Sequence, residues 1–326
     1  MAWRVAAFCL IAGLSCSPPA AAQPRPGIAR IGVLTTFPSA TPVRFATFKE
    51  KLRELGYEEG KTIAFETRSA AGKYDQLPAF AAELVRLNVD IIMADGGTPS
   101  IMAAMGATRR IPIVFCCVAD PVAQRLVRSL SKPGGNVTGV SVQQPESAAK
   151  SLELFRQILP GAKRLAVLAN PQNPSLPPVI AEMRGPAQAL GLELLLVNAA
   201  SIAEFEAAFR EAGTARVDGM VILRDAMFMS QARRLSILAA ASRLATMGGD
   251  ATFPENGALA SYSPNTLDLL RSAAVLVDKI LRGAEPRDLP VEQPAKFDFI
   301  VNRATARALA ISVPTEVLLR ADRVID

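Results

Sequence analysis

From residue 30 onward, short runs of β-branched and other apolar residues alternate with stretches whose apolar positions recur every three or four residues. Residues 30–35 read as a strand; Phe45, Phe48, Leu52 and Leu55 then share one helical face, which Gly56 closes. Residues 62–67 form a second predicted strand, and Leu77, Phe80, Ala81, Leu84 and Leu87 mark the next helix. A third strand over 89–94 leads into a helix opened by Thr98, Pro99 and Ser100. The run 111–118 is apolar throughout, as in a strand buried on both faces. A helix is expected from about Asp120 and Pro121, and a strand over 137–142 ends this series. A second series begins with a helix over 146–159, with Leu152, Phe155 and Leu159 on one face. It continues with strands at 164–169, 192–197, 217–223 and 244–247, again separated by helices.

Strands separated by helices assemble into parallel sheets with right-handed crossovers. Two such series predict an α/β chain of two doubly wound parallel-sheet lobes, and 326 residues are enough for two cores. The tail holds a strand (258–262), a long helix (265–282), a Pro-rich passage (286–294), a strand (297–301) and one more helix. These pieces are too few for a third core. Added to each lobe in turn, they require the chain to cross between lobes three times, which makes a hinge and opens a cleft. The expected division is a first lobe of 28–143 with 256–290, and a second of 144–255 with 291–326.

Residues 1–22 stand apart. Arg4 follows a short start, residues 5–14 are apolar, and Ala20, Ala21 and Ala22 precede Gln23, the order of a secretory signal peptide with an Ala-x-Ala cleavage site. The apolar run is shorter than the roughly 20 residues that span a bilayer, and no later stretch is long and apolar enough to do so. Cys16 follows Gly13, Leu14 and Ser15, but Gly13 stands where a lipobox carries Leu. The expectation is therefore an exported, periplasmic protein that begins at Gln23 without a lipid anchor. Removal of Trp3, Cys9 and Cys16 leaves a chain with no Trp, no His and the adjacent pair Cys116–Cys117. Neighbouring residues of a strand point to opposite faces, so these two read as small buried hydrophobes and a bond between them as strained.

The net charge of +6 is spread among Asp and Glu with no basic block, so no nucleic-acid groove is expected. Without His, a Ser-His-Asp triad, a Cys-His pair and His-based metal sites are excluded. The phosphate-loop, nucleophile-elbow and dinucleotide fingerprints are also missing, and no cofactor is expected. Ligands of open parallel sheets bind beyond the carboxyl ends of the strands. Those ends carry Thr35 and Thr36; Gly97, Thr98, Pro99 and Ser100; Asp120; Asn170; Asp225; and Asp250. The loop from Gly96 to Ser100 either holds an anion, with glycines allowing close approach and a helix start offering N–H groups, or merely caps a helix. Asp225 and Asp250 either receive a ligand ammonium or are solvated loop carboxylates, while Phe228 and Tyr262 offer a flat apolar wall.

Several segments carry a family likeness: Ile31-Gly-Val-Leu34, Leu52-Arg-Glu-Leu-Gly-Tyr57, Ile111-Pro-Ile-Val-Phe115, Asp120-Pro121, Leu130-Ser-Lys-Pro-Gly-Gly-Asn-Val-Thr-Gly139, Ser261-Tyr262-Ser-Pro264 and Leu289-Pro-Val-Glu-Gln-Pro294. In this order they resemble the ABC transporter substrate-binding family related to tryptophan- and tyrosine-binding proteins, over essentially the whole chain after the signal segment. The resemblance implies a type I periplasmic-binding-protein fold and a small amino-acid-like solute, aromatic in characterised relatives, clamped between lobes. It also implies a partner permease with its ATPase. A sensor presenting its ligand to a membrane receptor is the alternative within binding proteins, and an exported enzyme is the contrasting class.

Overall fold

The computed structural model describes residues 27–38 and 42–326; the expected signal segment and its cleavage site lie outside the described residues. The first lobe is built from β1 (Ala29–Thr35), α1 (Pro42–Glu54), β2 (Ile63–Ser69), α2 (Leu77–Arg86), β3 (Ile91–Asp95), α3 (Thr98–Ala107), β4 (Ile113–Val118) and β5 (Val137–Ser141). Its five strands run parallel in the order β2-β1-β3-β4-β5. The second lobe continues with α4 (Gln144–Ile158), β6 (Arg164–Ala169), α5 (Leu176–Ala189), β7 (Glu193–Asn198), α6 (Phe205–Thr214), β8 (Gly219–Ile222), α7 (Ala226–Ser230), α8 (Ala232–Ala241), β9 (Thr246–Gly248), α9 (Thr252–Glu255) and β10 (Ala260–Pro264). Helix α10 (Thr266–Leu281) returns to the first lobe, and β11 (Phe297–Asn302), α11 (Arg303–Ala308), α12 (Thr315–Arg320) and β12 (Arg323–Ile325) complete the second. The second sheet has seven strands in the order β12-β11-β10-β9-β8-β6-β7, parallel except where β10 meets β11.

Each sheet is covered on both faces, which is why the central strands read as unbroken apolar runs. In the first lobe, α1 and α10 bury Phe48, Leu52, Leu270, Ala274 and Val277 against one face, and α2 and α3 bury Leu77, Leu84 and Ile101 against the other. In the second, α4 and α5 cover one face with Leu152, Phe155 and Met183, and α6 to α9 cover the other with Phe205, Phe209, Leu235 and Phe253. The predicted α/β architecture with two parallel-sheet lobes is the one observed.

The tail differs in detail. The strand near 258–262 was expected in the first lobe, yet β10 pairs with β9 and β11 in the second sheet. The second crossing therefore falls at Pro264 and Asn265, where the Asn265 side chain accepts from Leu267 N and Asp268 N and starts α10. Val291 and Glu292 still bond to Leu130 and Gly139 of the first lobe, so the third crossing follows them. The helix expected at Asp120 is a set of turns: Asp120 Oδ1 accepts from Val122 N and Ala123 N, and Arg125 at φ 56° ends the winding. The cysteine pair also departs from the strand rule. Cys117 has φ 68° and the β4–β5 register shifts between Cys116 and Val118, so this bulge turns both thiols to one side, 2.9 Å apart.

Candidate binding cleft

The carboxyl ends of the two sheets face each other across a narrow cleft lined by Phe37, Gly97, Thr98 and Cys117 of the first lobe and by Asn173, Arg224, Asp225 and Met229 of the second, among others. The lobes are closed on one another. The Tyr74 hydroxyl of the first lobe donates to Asp225 Oδ2 of the second at 3.0 Å, and Phe37 is buried in the apolar cluster of the second lobe. A larger, open groove of about 940 Å³ lies at the opposite end of the first lobe, between Tyr57, Asp90, Arg110 and Glu285. It sits at the amino ends of the strands, away from where parallel sheets hold ligands.

On the first-lobe wall, β3 ends in Asp95 and the chain turns through Gly96 and Gly97, with φ 93° and 91°, into α3. Both lie in the left-handed region that favours glycine. A Cβ on Gly96 would also stand 1.8 Å from the Thr36 hydroxyl oxygen. Gly97 is the residue before the helix and has no side chain to cap it, so among the described residues no side chain caps the first turn of α3. The nearby hydroxyls point elsewhere: Ser100 donates to Gly97 O at 2.8 Å and Thr98 to Gln124 Oε1 at 2.5 Å. This end of the wall therefore presents backbone N–H groups and the positive end of a helix. Beside it, Arg44 makes a two-pronged pair with Asp95, at 2.5 and 3.3 Å, and lies over the Phe37 ring at 4.2 Å. Burial opposes the charge on Arg44, but the Asp95 carboxylate outweighs it and the guanidinium stays charged.

On the second-lobe wall, Arg224 at the end of β8 pairs with Asp250 at 2.6 Å and donates to Thr266 at 2.8 Å. Asp250 also accepts from Thr252 N, Thr252 Oγ1 and Thr266 Oγ1. Burial would raise its carboxyl, but Arg224 and these donors hold it below the ordinary value. Asp225 is different. Its carboxylate accepts from Tyr74, Asn173, Asn170 and Met227 N, and among the described residues no Lys or Arg pairs with it. Burial pushes this carboxyl above its ordinary value, and the four hydrogen bonds only partly offset it.

Of the residues expected to bind, Gly97, Thr98 and Asp225 line the cleft. Asn170 is buried behind Asp225 and steadies it, while Pro99 and Ser100 are buried in the first turn of α3. Thr35 accepts from Phe37 N and Thr36 donates to Gly96 O, so both brace the turn from inside the lobe. Asp120 caps its own turn, and Asp250 is committed to Arg224. Two expectations fail on packing. Phe228 is 0 % exposed against Phe205 in the second-lobe core, because the apolar side of short α7 is drawn into that core. Tyr262 stacks on Phe297 of the antiparallel neighbour β11, at 5.4 Å, and is not among the lining residues. Phe37, Arg44, Gln144, Asn173, Arg224 and Met229 line the cleft without having been expected to. Arg224 had a signal, a charge at the end of an apolar strand run; Arg44, beside the apolar stripe of α1, had none.

Two doubly wound lobes that meet over a polar cleft are the architecture of a protein that holds a small molecule between them. The chain belongs to the ABC transporter substrate binding protein family, whose model matches residues 38–325. It is 28% identical over 262 residues, 80% of this chain and 75% of the relative, to the tyrosine-binding protein of Clostridioides difficile (strain R20291). A conserved domain protein from Vibrio cholerae superposes with TM-score 0.85 at 30% identity, covering 91% of this chain and 100% of that one. The ABC domain in complex with L-Trp from Streptococcus pneumonia superposes with TM-score 0.85 at 25% identity, covering 92% and 100%. The fold is thus that of the type I periplasmic binding proteins, and the family's role implies a small-molecule solute and ABC transporter partners. Among the described residues no helix is long and apolar enough to cross a membrane.

Proposed function

We propose that this chain is a periplasmic receptor, not an enzyme, that captures an amino acid with an aromatic side chain and hands it to an ABC permease and its ATPase. The observation that carries the reading is the polarity of the cleft. A buried carboxylate with no cationic partner among the described residues, Asp225, lies on one wall, and the positive end of α3 lies on the other. A zwitterion fits both: its ammonium meets Asp225 and its carboxylate meets the N–H groups after Gly97. Phe37, Ala226 and Met229 supply apolar contact for a side chain. The aromatic assignment is supported by the tyrosine named for the curated relative and the L-Trp bound in the solved one. Export follows the signal segment, with cleavage before Gln23; an acylated Cys16 at the N-terminus of the exported protein, found by mass spectrometry, would overturn that part.

The processed chain lacks tryptophan once Trp3 is removed, so indole emission in a titration with L-tryptophan comes from the ligand. Enclosure between the lobes shifts that emission to the blue and saturates at one ligand per chain. Calorimetry with L-tyrosine and L-phenylalanine completes the series. No binding of any of the three, with protein refolded free of copurified ligand, rejects the aromatic reading.

A further inference from the structure

The cysteine pair of β4 is the feature of the cleft that solute binding does not use. Side chains of adjacent strand residues normally diverge, but Cys117 sits in the left-handed region at φ 68° and brings its sulfur to 2.9 Å from that of Cys116. A residue other than Gly, Asn or Asp is seldom found there. Such strain persists where the surroundings impose it and often marks a functional site. Here the surroundings include Arg44, whose Nη2 is 3.8 Å from the Cys117 sulfur, and Gly97, where an added Cβ would stand 3.5 Å from the Cys117 carbonyl oxygen. The two thiols are unlike. Cys116 is fully buried in the first-lobe core, whereas Cys117 is 7 % exposed and lines the cleft. The hydrogen bond from Cys116 holds the Cys117 thiol below its ordinary range despite burial, with Arg44 and Arg224 adding to it; burial pushes Cys116 up. Asp95 lies close enough to both sulfurs to complete a metal-ligand set. Its two carboxylate oxygens are already engaged by the two-pronged pair with Arg44, which disfavours a metal ion there.

The geometry points to Cys116–Cys117 as a dithiol–disulfide site on the wall of the cleft, with Cys117 as attacking thiol and Cys116 as resolving thiol. The co-reactant is a disulfide, either a small one or that of an exported oxidoreductase. The Cys117 thiolate attacks one of its sulfurs, forming a mixed disulfide and expelling the other half as a thiolate, which takes up a proton. Cys116 then loses its proton and attacks the Cys117 sulfur, expelling the second half as a thiol. Two protein thiols have lost two electrons and two protons, and one external disulfide has become two thiols. The second step matters because an adduct left on Cys117 would stand between the lobes and obstruct closure. The neighbouring thiol converts it to a bond that occupies no cleft space. This needs the cleft to open but no particular solute, so it stands apart from the aromatic assignment.

The test treats the folded, reduced chain with oxidised glutathione, then unfolds it in iodoacetamide and weighs the tryptic peptide of residues 111–125. The expected peptide is two hydrogens lighter than the dithiol form and carries no alkyl group. Cys116→Ser is expected to retain glutathione on Cys117, and Cys117→Ser to take none under the same native conditions. A wild-type peptide that carries two alkyl groups, or a lasting glutathione adduct, overturns the assignment. The wild-type reading decides even if a variant fails to fold.

Discussion

On the first-lobe wall of the cleft, Arg44 and Asp95 neutralise each other, and the polarity left over is the positive end of α3. On the second-lobe wall, Arg224 and Asp250 neutralise each other, and what remains is the Asp225 carboxylate. Each wall thus holds one closed ion pair and, among the described residues, one polar group without an oppositely charged partner, and these two groups are of opposite sign. A closed pair keeps its charges satisfied at the expense of any other partner, so it shapes the cleft without recognising a ligand. A buried charge that is hydrogen-bonded but lacks a counter-charge still gains from an oppositely charged partner. That difference separates the residues that hold the walls from those expected to hold the solute.

The largest expected effect is on a closed pair. Asp250→Ala leaves Arg224 buried without its carboxylate and is expected to cost about 3–5 kcal/mol in urea unfolding. A loss below about 1 kcal/mol would place the pair with ordinary surface ion pairs. Next comes the unpaired carboxylate. Asp225→Asn is expected to weaken solute binding by about 1.5–3 kcal/mol, the worth of a hydrogen bond to a charged group, read by calorimetry. Acidification tests the same group. Because burial raises the Asp225 carboxyl above 3.8 in the free protein, and an ammonium favours its ionised form, affinity is lost as pH falls through that raised value. The Asn variant should lack this loss. For stability the sign is opposite: the cost of burying ionised Asp225 is relieved on protonation, so its contribution improves as pH falls through the folded value and is complete below the unfolded one.

A smaller effect separates side chain from backbone on the first wall. Thr98 donates to Gln124, not into the cleft, so Thr98→Val is expected to lower stability by about 0.5–1.5 kcal/mol and to leave affinity nearly unchanged. An affinity loss as large as that of Asp225→Asn would put the hydroxyl on the solute. Smallest of all, Tyr262→Ala removes a stacking partner of Phe297. Its titration curve with L-tryptophan should match that of the wild type; a weakened one would return Tyr262 to the binding wall.

The alternation of apolar runs and helical stripes carried the two-lobed α/β architecture, because a strand covered on both faces and a helix covered on one have different periods that any fold must respect. Strand ends were legible too, and with them Gly97, Thr98 and Asp225, since parallel sheets place ligands at those ends. The sequence could not say which sheet would take residues 260–264, because a strand's period does not name its partner. Nor could it separate Asp225 from Asp250. Both follow apolar runs, and only the arrival of Arg224 beside one and of Asn170 and Asn173 beside the other made one a closed pair and the other an open carboxylate. Phe228 looked like a wall residue until α7 turned it into the core. The bulge that joins the two thiols depends on Cys117 adopting a left-handed backbone that its own side chain does not favour. Periodicity is local and survives translation into sequence; charge pairing, burial side and strained backbone are set by neighbours distant along the chain, which only the folded structure brings together.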